Sequence, residues 1–150
     1  MLRRIVLLVG WMVLIPALLA QSNVQYAGGT APQFVTGAPG RIELTDEQYF
    51  AFYSRKAQAR VPYDHINLIE YGQSVSRRLL MAVVISPLFL LSKSRKHFLT
   101  VGYTGEDGKQ QAMVFRVEKN SIRVILVSLE ARTGLKVEYQ DEEARKAGKG

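Results

Sequence analysis

The sequence contains no cysteine, which excludes a disulfide framework, a thiolate metal site, a cysteine nucleophile and a lipidated cysteine at an export site. Histidine is nearly absent too: there are two, His65 and His97. Neither has acidic residues around it at a recurring metal-ligand spacing, so neither is expected to bind a metal or act as a general base. The sequence lacks a Gly-x-Ser-x-Gly elbow; Tyr71-Gly72-Gln73-Ser74 has no second glycine and no strand-to-helix context. No glycine-rich loop runs into Gly-Lys-Ser or Gly-Lys-Thr. Glu43, Asp46 and Glu47 read as solvated turn acids, and Asp141-Glu142-Glu143 as a charge run in the tail. No catalytic, cofactor-binding or metal-binding residue is expected, no cofactor is implied, and the chain is not read as an enzyme.

What is present bounds the rest. A chain of 150 residues with 47% hydrophobic content is long enough for one domain with a real core. At the start, Arg3 and Arg4 precede an uncharged apolar run from Ile5 to Leu19, and Ala20 leads into the polar Gln21-Ser22-Asn23. A positive start, an apolar stretch and a small residue at the exit make a bacterial-type secretory signal over residues 1–20, cut after Ala20. The expected location is periplasmic or secreted. The alternative is an uncleaved N-terminal anchor, since the run is short for a membrane span but not impossibly so.

Residues 21–40 carry Gly28, Gly29, Pro32, Gly37, Pro39 and Gly40 with no helical or strand period, and read as a flexible linker. From Arg41 the pattern turns strand-like. Arg41 to Thr45 alternates polar and apolar, Asp46-Glu47 offers a turn, and Gln48 to Tyr53 is aromatic-rich. Ser54 to Arg60 reads as a polar, basic turn. Val61-Pro62-Tyr63 starts another strand that continues through Ile66, Leu68, Ile69 and Tyr71. Phe98 to Tyr103 and Gln111 to Val117 form a hairpin about a turn containing Gly105 and Gly108. Ile122, Ile125, Leu126 and Leu129 fall on one face of a helix. Asn120 or Ser121 is placed to cap its start and Gly134 to end it in the left-handed conformation, with Leu135 folding back on Leu129. Lys136 to Tyr139 adds a last short strand, and the tail over 140–150 is expected to be disordered.

The order Gly40-x-Ile42-x-Leu44-Thr45, Phe50-x-Phe52, Val61-Pro62-Tyr63-x-x-Ile66-x-x-Ile69-Glu70-Tyr71, closed by a helix with Leu129-Glu130-x-x-Thr133-Gly134, resembles bacterial pleckstrin-homology-like (PH-like) and GRAM-like domains. The resemblance covers about residues 40–139 and rests on hydrophobic spacings. It implies a mainly β fold: a bent antiparallel β-sandwich or barrel over 41–139 with one C-terminal helix closing an open end. It also implies a binding role, toward lipid headgroups, peptides or partner proteins, with no catalytic residues to carry over.

The chain departs from that pattern over about 77–96, an apolar and helical insertion. Leu79 to Leu91 is uncharged and almost wholly apolar, flanked by Arg77 and Arg78 before and by Lys93, Arg95, Lys96 and His97 after. Thirteen helical residues would span about 20 Å against a hydrocarbon core of about 30 Å, and Pro87 would disturb the helix, so a transmembrane helix is not expected. Two readings stay open: a buried element packed over the sheet, or a hydrophobic loop dipping into a bilayer or a partner. On the second reading Arg77, Arg78, Leu88, Phe89, Leu90, Lys93, Arg95 and Lys96 make the contact.

The formal charge of +7 falls to +5 if Arg3 and Arg4 leave with the signal. Basic residues otherwise cluster at Arg55-Lys56-Arg60, Arg77-Arg78 and Lys93-Arg95-Lys96. There is no aromatic-basic recognition motif, so nucleic acid is not an expected partner. The sequence thus points to a non-enzymatic exported binding or scaffold module that engages a partner protein through its sheet edge or apolar insertion. The alternatives are a peripheral module on an anionic membrane surface, using Leu79 to Leu91, and a small hydrolase with an unfamiliar site.

Overall fold

The computed structural model describes residues 22–73, 75, 84–85 and 97–149. The segment 1–20 read as a signal, most of the apolar run and the candidate contacts Arg77, Arg78, Leu88, Phe89, Leu90, Lys93, Arg95 and Lys96 lie outside the described residues. The first strand, β1 (Ser22–Gly29), is the centre of the molecule. It pairs antiparallel with β2 (Pro39–Glu43) on one side and, on the other, with β8 (Gln110–Val117). β2 continues through β3 (Tyr49–Ser54) to β4 (Gln58–Pro62), and a 3-10 turn (Tyr63–His65) leads into β5 (Ile66–Gly72). β5 pairs with β7 (His97–Thr104), and β7 forms a hairpin with β8. The two-residue β6 (Val84–Ile85) sits against Gly28 and Gly29 of β1. The resulting order is β4-β3-β2-β1-β8-β7-β5-β9, where β9 (Glu138–Tyr139) runs parallel to β5. Among the described residues two helices complete the mainly β fold: α1 (Lys119–Thr133) and α2 (Glu142–Lys149).

The linker expected over 21–40 is corrected by β1. Val24, Tyr26, Ala31 and Phe34 are all buried in the main core. The glycines and prolines there shape a tight β1–β2 connection: Tyr26 N–H donates to the Ala38 carbonyl (2.9 Å) and Gly37 N–H to the Tyr26 carbonyl (2.7 Å). Gly37 takes φ 88°, a left-handed conformation costly for residues with a Cβ. Gly29 (φ 153°) is held by close approach, since a Cβ there would run into the Ala112 carbonyl and the Tyr26 hydroxyl.

The core lies between one face of the sheet and α1. Alternation along the strands turns Phe50 and Phe52, Met113 and Phe115, and Leu99 and Val101 inward. Phe115 meets Phe52 at 4.9 Å and Tyr26 at 6.1 Å between ring centroids, forming an aromatic cluster. The helix closes this face with Ile122, Ile125, Leu126 and Leu129, all essentially inaccessible. Burying each such side chain stabilises the fold by about 2 kcal/mol. Its C-terminus ends as the sequence predicts: Gly134 adopts φ 73° and its N–H donates to the Glu130 carbonyl at 2.9 Å. Its start lies earlier than Asn120 or Ser121. The N-cap is Glu118, which makes no side-chain capping bond.

The expected disordered tail is likewise corrected. Asp141 caps α2, its Oδ1 accepting from the Ala144 amide (2.6 Å), while its Oδ2 accepts from Gln73 (2.9 Å) and ties the helix to the end of β5. Ala144 is fully buried, and Gly148 packs so closely on Tyr139 that a Cβ would meet the ring at 2.5 Å. Small residues four apart let this charged helix dock. The basic turn over 54–60 is shorter than expected, because β4 begins at Gln58.

Candidate binding groove

The alternation that sends Val24, Ile42, Phe52 and Val117 into the core sends their neighbours to the opposite face of the sheet. The register then sets those neighbours side by side. Asn23 of β1 opposes Arg41 of β2, Arg41 opposes Tyr53 of β3, and Gln25 of β1 opposes Arg116 of β8. The Arg41 guanidinium lies 5.2 Å from the Tyr53 ring centroid, and Arg116 Nη1 donates to Gln25 Oε1 at 3.4 Å. Beyond the end of β8 the wall continues through Glu118, Lys119 and Asn120. Arg55 enters from the β3–β4 turn, and His97 and Glu143 complete the lining. The groove encloses about 1380 Å³. This is larger than the roughly 300–1,000 Å³ of small-molecule sites, so it suits an extended polymer segment better than a metabolite.

Arg41, Arg55, Arg116 and Lys119 bring four cations into this groove against the carboxylates of Glu118 and Glu143. Low-dielectric walls around a cleft focus such a field and raise the local concentration of anionic partners. Amides from Asn23, Gln25 and Asn120 add donors and acceptors that can pair with a peptide backbone.

His97 is nearly buried at one end of the groove. Its Nδ1 lies 2.7 Å from the Tyr71 hydroxyl, and the two rings stack at 5.6 Å. Burial lowers the imidazole pKa below its ordinary value. Glu143 and Asp141 pull it upward and Lys119 pushes it down. Burial also raises the Tyr71 phenol strongly, so both partners are neutral at pH 7. His65 is exposed on the 3-10 turn, remote in sequence from this contact. Among the described residues no group of three or more His, Asp or Glu side chains gathers to hold a metal ion, and no described helix is long and apolar enough to cross a membrane.

No protein-family model matches the sequence, and no curated protein does. The site therefore stands on its own geometry.

Of the basic cluster Arg55-Lys56-Arg60, the structure brings only Arg55 to the groove. Arg60 binds Asp46 at 2.9 Å and lies over the Tyr49 ring. Sequence reasoning missed Arg41, Arg116 and Lys119, because each stands singly in its strand or helix start. The available signal was alternation: Arg41 precedes inward Ile42, and Arg116 separates inward Phe115 and Val117.

Proposed function

We propose that this chain is a non-catalytic, exported binding module of PH-like type that holds an acidic segment of a partner protein in the groove across β8, β1, β2 and β3. The observation that carries the reading is the convergence of Arg41, Arg55, Arg116 and Lys119, with Tyr53 and three amide side chains, in one groove of polymer size. The PH-like assignment is supported by the order of the seven longer strands, by a first strand shared between the two halves of the sheet, and by a helix packed on the core. It is also supported by burial of Ile42, Phe50, Phe52, Val61, Tyr63, Ile66, Ile69 and Tyr71 among the apolar positions of the resemblance, with Leu44 partly buried against the core.

The geometry favours the groove over the sheet edge as the docking surface. The edge strand β4 is five residues long and ends at Pro62, which has no amide hydrogen to donate. Its outward Arg60 is engaged with Asp46 and Tyr49, which blunts pairing by a foreign strand. A groove walled by strands on one side and by Glu118 to Asn120 on the other also suits an extended protein segment better than a flat bilayer. The pairing of Val84 and Ile85 with β1 draws the middle of the apolar run to the sheet.

Selection from a phage-displayed random peptide library tests the reading. The expected outcome is enrichment of peptides rich in Asp and Glu, whose binding falls at least tenfold in an Arg41→Glu, Arg116→Glu variant and weakens with salt. Absence of acidic enrichment overturns it. Salt-sensitive flotation with anionic vesicles, unaccompanied by peptide binding, replaces it with the peripheral-membrane reading.

A further inference from the structure

A second cleft, away from the groove, opens where α2 docks beside α1. Its lining comes from three segments: Arg123, Leu126, Val127 and Glu130 of α1; Lys136 and Val137 before β9 with Tyr139 at its end; and Arg145, Gly148 and Lys149 of α2. The cations are Arg123, Lys136, Arg145 and Lys149, and among the described residues the one lining carboxylate is that of Glu130. Glu130 is already engaged, because its Oε1 accepts the Val137 amide at 3.0 Å. Arg145 reaches Glu142 at 3.3 Å, but both side chains are more than half exposed. Such a pair contributes little and releases its guanidinium readily.

The cleft has a chemical polarity. Leu126 and Val137 are buried at its floor, Tyr139 forms an aromatic wall with the Lys149 ammonium 5.9 Å from its ring centroid, and the remaining cations are exposed at the rim. Its volume of about 630 Å³ lies within the roughly 300–1,000 Å³ of small-molecule sites. The described lining residues carry an excess of three positive charges, which calls for a multiply charged anion, and arginine forks match phosphate oxygens. The apolar floor and ring leave room for a carbon body behind the phosphate.

We infer that the α1–α2 cleft is a binding site for an organic phosphate monoester, with the phosphate between Arg123, Lys136, Arg145 and Lys149 and the apolar body against Leu126, Val137 and Tyr139. The site is separate from the groove that takes the partner segment and does not depend on that reading. A free phosphorylated metabolite and a phosphate-monoester lipid headgroup share this chemistry.

Isothermal titration of the full chain with 1-naphthyl phosphate and with inorganic phosphate tests the site, alongside flotation with vesicles of phosphatidic acid in phosphatidylcholine. The expected result is naphthyl phosphate binding about tenfold tighter than inorganic phosphate, the difference supplied by burial of the ring. Arg123→Glu with Lys136→Glu should abolish binding, and Lys149→Gln, at an exposed position, should weaken it with the far-UV circular dichroism spectrum unchanged. Arg55→Glu, in the groove, should leave it unchanged. Binding to naphthyl phosphate alone upholds the site with a soluble ligand, and binding to phosphatidic acid vesicles with the same variant pattern upholds it with a lipid. No binding in either arm, or binding indifferent to Arg123, Lys136 and Lys149, overturns the inference.

Discussion

Replacement of Phe34 by alanine separates a folded β1–β2 segment from a flexible linker. Phe34 lies in the connection after β1, is 7% exposed, and its ring meets Tyr26 at 5.2 Å and Phe52 at 5.0 Å. Truncating a buried phenylalanine costs about 3–5 kcal/mol, including its aromatic contacts and the cavity left behind. A connecting loop can close partly around the gap, which places the cost near the lower end, about 3 kcal/mol. Domains of this size are stable by about 5–15 kcal/mol, so the variant folds but with a large part of its margin gone. In urea, followed by far-UV circular dichroism, the midpoint should fall by about 1.5 M for a slope near 2 kcal/mol/M, with the slope unchanged. The melting temperature should fall by roughly 10–15 °C. Val35→Ala is the control: its neighbouring side chain is 76% exposed, and the substitution should stay within about 0.5 kcal/mol of the parent. A Phe34→Ala variant as stable as Val35→Ala would refute the placement of this segment in the core.

Three further outcomes are expected. Gly134→Ala forces a Cβ into the left-handed C-cap of α1 at φ 73° and should cost about 1 kcal/mol in chemical denaturation. Asp141→Ala removes the acceptor for the Ala144 and Gln73 amides; hydrogen exchange should accelerate across α2, with a stability loss of about 1 kcal/mol. The buried His97 has a folded pKa below its ordinary value of 6.5, so the unfolded chain takes up that proton first. Its contribution is therefore fully present above pH 6.5 and is lost as pH falls through the depressed folded value. His97→Gln should flatten stability between pH 7 and pH 5, and an unchanged pH dependence would show that another group governs it.

Much of this architecture can be read in the chain where local pattern and tertiary environment agree. The β7–β8 hairpin follows from two apolar-rich runs around Gly105 and Gly108, and α1 from four apolar residues at helical spacing ended by Gly134. Reading failed where a few contacts outweigh composition. The glycines and prolines of 28–40 suggest slack, yet Val24, Tyr26 and Phe34 anchor the segment and the glycines permit its close approaches. The charged 142–149 segment looks like a fraying end, but Ala144 and Gly148 give it a face small enough to dock. The parallel pairing of β9 with β5 has no local signature, because it depends on where α1 delivers the chain. The groove was hidden for a similar reason. Arg41, Arg116 and Lys119 are isolated in sequence and meet only through strand register and the turn into α1.

The most direct test of the binding account is amide chemical-shift mapping of the isotope-labelled protein titrated with a soluble polyglutamate peptide, with polylysine as the control. The account predicts salt-sensitive shifts clustered at Asn23, Gln25, Arg41, Tyr53, Arg116 and Lys119, absent with polylysine and lost in the Arg41→Glu, Arg116→Glu variant. Shifts confined to the β4 edge at Gln58–Pro62, or no shifts at all, would contradict it.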